Sequence, residues 1–155
     1  MSRFTVFHEV APSLYLGGLA SPHDAEQLRQ VGVSAVLDLT AEFVEPRPLR
    51  CSVLYYCLPL LDATAPTLAE LESGARWTQQ VRAEGKTVYI HCAKGAGRSA
   101  TFAAAYLIVS GQARDVQSAV QWLRQRRPHV KLVGAQVAVL APLSPAKSAT
   151  DSVVR

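Results

Sequence analysis

A chain of 155 residues, 49% of them hydrophobic and 18% charged, has room for one domain with a substantial core and lies far from the polar compositions that stay disordered. Its 16 Lys and Arg against 12 Asp and Glu leave a net charge of +4, a mild basic bias that favours phosphorylated ligands but lacks the dense clustering of a nucleic-acid binder. No apolar run reaches the roughly 18 residues of a membrane span, no signal-peptide core follows Arg3, and Cys51, Cys57 and Cys92 are too few for a disulfide framework, so a cytoplasmic protein with at least one reduced thiol is expected.

In chain order, residues 10–18 read as a strand closed by the Gly17–Gly18 pair. Ser21 then caps a helix in which Pro22 suits the first position, Asp24 and Glu26 favour the positive end, and Gly32 marks the stop. Residues 33–39 and 52–60 are near-continuous apolar runs, read as strands buried on both faces, and the charged segment between them, with Pro46 and Pro48, as a surface connection. Residues 67–84 place Leu68, Leu71, Ala75, Trp77 and Val81 at helical spacing and end at Gly85, which predicts a long amphipathic helix. Residues 87–91 form the last strand and residues 99–110 an almost wholly apolar helix. Asp115 caps a helix that runs to Arg127 before Pro128, and residues 134–140 make a short final helix. From Pro142 the Ser, Ala, Thr and Pro composition predicts a flexible tail over 142–155, leaving residues 1–141 as the domain. Strands alternating with helices predict an α/β fold with a central, mostly parallel sheet of about 4–5 strands flanked by helices.

In such sheets ligands bind beyond the carboxyl ends of the strands. The segment there is His91-Cys92-Ala93-Lys94-Gly95-Ala96-Gly97-Arg98-Ser99. Its two glycines let the backbone curl so that successive amide N–H groups converge with the positive end of the next helix, a cradle sized for a phosphate. The same field, with Arg98 beside it, lowers the pKa of Cys92 and makes it a nucleophile at neutral pH. Residues 95–100 also have the outline of a dinucleotide fingerprint, but Asp115, the acid at the matching distance, follows a helix and reads as a cap. A rhodanese-like sulfur-transfer loop, which uses a similar cysteine, stands as a rival.

The pattern His-Cys-x-x-Gly-x-x-Arg-Ser at residues 91–99 resembles the phosphate-binding loop of the cysteine-based protein tyrosine phosphatase superfamily. The resemblance implies that Cys92 attacks phosphorus, that Arg98 clamps two phosphoryl oxygens, and that Ser99 stabilises the departing thiolate. It implies that His91 orients the loop, and that Ala93, Lys94, Gly95, Ala96, Gly97 and Arg98 hold the phosphate. The superfamily's general acid is an Asp on a loop upstream of the cysteine; Asp62, 30 residues before Cys92, takes that place, with Asp38 as runner-up inside a strand. Length and element order are similar to the dual-specificity branch, which implies a shallower pocket than in the larger tyrosine-specific enzymes. Within the branch, residues 62–68 and 129–140 look like the group of the phosphatidylglycerophosphate phosphatases. The chain departs from the branch after Arg127, where an Asn usually buttresses the loop and Leu132-Val133 stand instead; Gln136 is the candidate substitute.

The function this implies is a phosphatase working through a phosphocysteine intermediate, with no metal or other cofactor, on phosphotyrosine, phosphoserine or phosphothreonine proteins. The alternatives are a lipid phosphatase acting on phosphatidylglycerophosphate or a phosphoinositide, and a phosphate-binding pseudophosphatase without turnover. Its partner is then a phosphorylated protein or, through peripheral membrane contact, a phospholipid headgroup, and not a nucleic acid. Arg124 to Arg127 reads as a solvated helix end or a headgroup contact. Cys57, at the end of the strand leading to Asp62, is a better candidate than Cys51 as a redox partner of Cys92.

Overall fold

A computed structural model describes residues 6–42 and 53–145. The expected Pro46 and Pro48 connection, Cys51 and most of the expected tail lie outside the described residues. A five-stranded sheet runs in the order β1 (Phe7–Ala11), β2 (Leu14–Gly17), β5 (Thr87–His91), β3 (Val33–Thr40) and β4 (Leu54–Leu60). All neighbours are parallel except β1 and β2. Helices α1 (Pro22–Gln30), α2 (Leu68–Ala83), α3 (Arg98–Val109), α4 (Val116–Arg126) and α5 (Gly134–Leu140) complete the α/β architecture expected from the alternating pattern. Among the described residues no helix is long and apolar enough to cross a membrane.

The caps show why the helices begin where they do. Ser21 and Asp24 form a reciprocal capping box at α1, and Thr67 and Glu70 form another at α2. The Asp115 side chain accepts from the Ser118 N–H at the start of α4. Each satisfies amide groups that a helix leaves unpaired at its first turn.

Two expectations are corrected. Residues 10–18 are not one strand but part of the β1–β2 hairpin. Pro12 has no N–H to give a ladder and Ser13 takes φ 60, so the chain turns there. The second correction concerns β4: β3 is buried along nearly its whole length, but β4 is the edge of the sheet and holds exposed and half-buried positions, with Leu60 alone buried. An apolar run reports strand formation without reporting how many neighbours the strand will have.

The core is divided by the sheet. On one face Leu14, Leu16, Leu37, Val88 and Ile90 pack against α2, α3, α4 and α5; on the other Val36 and Tyr89 pack against Ala25 and Leu28 of α1. Helix α3 is buried from Arg98 to Ile108, and its first residues emerge directly from the loop after β5. The most enclosed helix among the described residues therefore fixes one end of the loop that matters most.

Candidate active site

The loop of residues 92–98 is fastened from behind. The carbonyl of Ala93 accepts from the Leu19 N–H at 3.0 Å and that of Ala96 from the Lys131 N–H at 2.8 Å. Those of Lys94 and Gly95 accept from Arg127, through Nη2 at 3.1 Å and Nε at 2.8 Å. The Gly97 carbonyl accepts from the Thr101 N–H at 2.9 Å and its hydroxyl at 2.8 Å, inside α3. With every carbonyl from 93 to 97 bound outward, the loop's amide groups are left to face inward, the arrangement that holds an anion. Gly95 makes the curl feasible: its φ is +68, and a Cβ there would lie 2.4 Å from the Gly17 carbonyl carbon.

Cys92 sits at the bottom of this cradle. Its Sγ accepts from the Gly95 N–H at 3.2 Å and lies 3.2 Å from the Ser99 hydroxyl. Burial pushes the thiol pKa up, but hydrogen bonds from the Ser99 hydroxyl, the Ser99 amide and the Gly95 amide, together with the charge of Arg98, outweigh it and leave the pKa below the ordinary value. Arg98 is only 1% exposed. The end of its guanidinium is gripped by Glu42, with Nη1 at 3.0 Å and Nη2 at 2.7 Å from the carboxylate oxygens, and Nη1 also donates to the Leu60 carbonyl at 2.8 Å. Nε, buried, has no partner among the described residues. The side of the fork formed by Nε and the second hydrogen of Nη2 thus stays available for two oxygens of a phosphoryl group. Asp62 lies in the turn after β4, 3.6 Å from Nη2 of Arg98, with its side chain 71% exposed and its Oδ1 accepting from the Ala63 N–H at 2.9 Å.

The same chain shows its kinship plainly. The family described as "Dual specificity phosphatase, catalytic domain" matches residues 14–141. This chain belongs to that family. It is 33% identical over 143 residues to the phosphatidylglycerophosphate phosphatase PTPMT1 of Arabidopsis thaliana, covering 87% of this chain and 41% of the relative. To the human dual specificity protein phosphatase 12 it is 32% identical over 129 residues, covering 80% and 37%. The chain thus spans about two fifths of the length of these curated relatives. The crystal structure of PTPMT1 in complex with PI(5)P superposes with a TM-score of 0.80 at 26% identity, covering 88% of this chain and 92% of that one.

Within this dual-specificity phosphatase domain, the residues named from the sequence are brought together: Cys92, Ala93, Lys94, Gly95, Ala96, Gly97, Arg98 and Ser99 form the cradle, and Asp62 stands at its rim. His91 is fully buried beneath it. Its Nδ1 lies 3.3 Å from the Cys92 carbonyl and its Nε2 3.6 Å from Asp38 Oδ1. Asp38 is therefore excluded as the acid at the mouth: it is buried and already accepts from the Thr40 N–H and hydroxyl and from the Tyr55 hydroxyl.

Three further corrections concern Arg127, Glu42 and Cys57. Arg127 is not a solvated helix end; it is 2% exposed and holds two loop carbonyls, so a guanidinium takes up the buttressing expected of an Asn. Its Nη1 donates to His8 Nδ1 at 2.7 Å, and burial, then the charges of Arg127 and His129, lower the His8 pKa so that the neutral ring accepts. Glu42 opens the charged segment that the sequence predicts to be a surface connection; Arg98, 56 residues away, makes it the partner that aims the fork and lowers its pKa to about 2. No local pattern announces either contact; the signal for Glu42 is only the general demand of a buried Arg for a carboxylate. Cys57 is placed away from Cys92. It pairs with Asp38, which pairs with His91, so two strand spacings of about 4.8 Å separate it from β5. Tyr56 and Leu58 face the α3 side and Cys57 the other, beyond the about 7 Å that a bridge tolerates.

Proposed function

We propose that this domain hydrolyses phosphate monoesters through a phosphocysteine intermediate. The observation that carries the reading is the meeting at one point of a thiol with a lowered pKa, an unpartnered buried guanidinium N–H, and a loop whose carbonyls are all turned away. The Cys92 thiolate attacks phosphorus, forming the S–P bond as the P–O bond breaks, and the proton of Asp62 goes to the departing oxygen. Asp62, now a carboxylate, takes a proton from water, whose oxygen bonds to phosphorus while the S–P electron pair returns to Sγ beside the Ser99 hydroxyl. In both steps the inward amides and Arg98 stabilise charge on the equatorial oxygens, without reorganising.

A phospholipid headgroup is the substrate class favoured here. It is supported by the likeness to a phosphatidylglycerophosphate phosphatase, by the phosphoinositide in the superposed crystal structure, and by Leu61, 70% exposed beside Asp62, an apolar contact at the rim. The likeness to dual specificity protein phosphatase 12 supports a phosphoprotein as the second reading. The test compares phosphatidylglycerophosphate and phosphatidylinositol 5-phosphate with phosphotyrosine and phosphothreonine peptides, using the unaltered chain and Cys92→Ser. The highest kcat/KM is expected on a lipid, and Cys92→Ser should lose at least about 10³-fold on every substrate while still binding phosphate. Activity in Cys92→Ser above a tenth of the original rejects the phosphocysteine route, and a peptide preference rejects the lipid.

A further inference from the structure

We propose that Gln136 is a positioning residue that latches the Asp62 turn over the phosphate loop; this rests on the phosphatase reading of the site. Gln136 lies in the first turn of α5 and is 1% exposed. A primary amide buried to that extent destabilises the fold unless its polar atoms are partnered. Its Oε1 accepts from the Val133 N–H at 2.9 Å, which satisfies the start of α5. Its Nε2 donates to the Thr64 carbonyl at 3.2 Å, two residues beyond Asp62. The amide also lies close over the phosphate loop: a Cβ built on Gly97 would lie 3.3 Å from both Nε2 and Oε1. One side chain thus bonds the helix start and the acid turn and lies over the cradle.

The turn has little else to hold it there. Residues 61–64 close on themselves through the Thr64 N–H and hydroxyl, which both give to the Leu61 carbonyl, and Ala63 takes a left-handed φ of 57. Before the turn, the Leu60 carbonyl is held by Arg98; after Asp62, the Thr64 carbonyl is held by Gln136. Among the described residues no other side chain from outside the turn donates to its backbone in this span. The Asp62 carboxyl, mostly exposed, is itself bonded to Ala63 and only 3.6 Å from Arg98, so its placement over a leaving group depends on where the backbone is fixed. A misplacement near 1 Å at a reacting group can lower a rate by about 10²-fold.

The two atoms of the amide do separable jobs, and Gln136→Glu separates them. A carboxylate keeps an oxygen for the Val133 N–H but has no hydrogen for the Thr64 carbonyl. The experiment measures kcat/KM, which reports the step that protonates the leaving group, on an alkyl phosphate and on 2,4-dinitrophenyl phosphate, whose phenolate leaves without a proton. Gln136→Glu is expected to lower kcat/KM on the alkyl ester by about 10- to 100-fold and on the dinitrophenyl ester by less than about 3-fold. The added charge repels both dianionic esters alike, and its influence on the acid strength of Asp62 is absent from the uncharged Gln136→Met control, which should show the same split. In an Asp62→Asn background the same substitution should widen the split no further. Gln136→Met, which lacks both contacts without adding charge, is measured on the same pair and carries the test should Gln136→Glu fail to fold. Equal losses on the two esters, or none, overturn the latch alone. Absence of turnover of either ester by the unaltered chain overturns the phosphatase reading and the latch with it.

Discussion

At the scale of single residues, the site rests on how the charged form of a sulfur atom is favoured. Ser99 supplies the largest favourable influence on the Cys92 thiolate, through its hydroxyl, against the burial that opposes it. Hydrogen bonds to charged groups contribute about 1.5–3 kcal/mol. Ser99→Ala should therefore raise the Cys92 pKa, moving the midpoint of thiolate formation to higher pH. Alkylation by iodoacetamide, followed from pH 4 to 9, should show that upward displacement and a rate about tenfold lower on the acid side; an unmoved midpoint assigns the stabilisation to the backbone and Arg98. Cys92, Arg98 and Ser99 were legible in the sequence because one tight loop fixes their spacing. Glu42 and Arg127 were not, since Arg98 lies 56 residues from Glu42 and the loop carbonyls that Arg127 holds lie 32 and 33 residues from it, so only the folded chain brings them together. Asp62 was found by its distance from Cys92, while what fixes its turn, the Gln136 amide, was visible only in space.

Among the elements, α2 and α3 meet where a glycine faces an aromatic ring. A Cβ on Gly74 would lie 2.4 and 2.5 Å from two ring carbons of the buried Phe102. Replacing a mid-helix glycine by alanine ordinarily gains about 0.5–1 kcal/mol. Forcing a well-packed ring aside costs about 1–3 kcal/mol. Gly74→Ala is therefore expected to lower the thermal midpoint by several degrees rather than raise it. The double variant Gly74→Ala with Phe102→Leu should lose less stability than the two single losses added together, because the smaller side chain leaves room; strict additivity in thermal denaturation would show that the close approach is relieved some other way. Helix limits were legible for local reasons, as the capping pairs Ser21–Asp24 and Thr67–Glu70 lie within one turn. The edge position of β4 and the β1–β2 hairpin were not, because strand neighbours are chosen by the whole sheet.

For the molecule as a whole, a net charge of +4 surrounds a pocket that must attract dianions. Charges more than about 10 Å apart are largely screened at 0.1 M salt. Raising ionic strength from about 10 to 500 mM should thus lower kcat/KM for a small aryl phosphate several-fold while kcat changes little. A flat kcat/KM would confine the attraction to the cradle itself.

The outward fastening of the loop carbonyls also bears on ancestry. Leu19, Arg127, Lys131 and Thr101 do the fastening, whereas the exposed Leu61 and Ala63 flank the acid at the rim. Mutations that drift through the rim leave the fastenings untouched. A lineage can then exchange one organic group for another in its diet of esters so long as the acid turn keeps its place, and the side chain that must be inherited with the loop is Arg127, because Leu19 and Lys131 fasten through backbone N–H groups that almost any residue supplies.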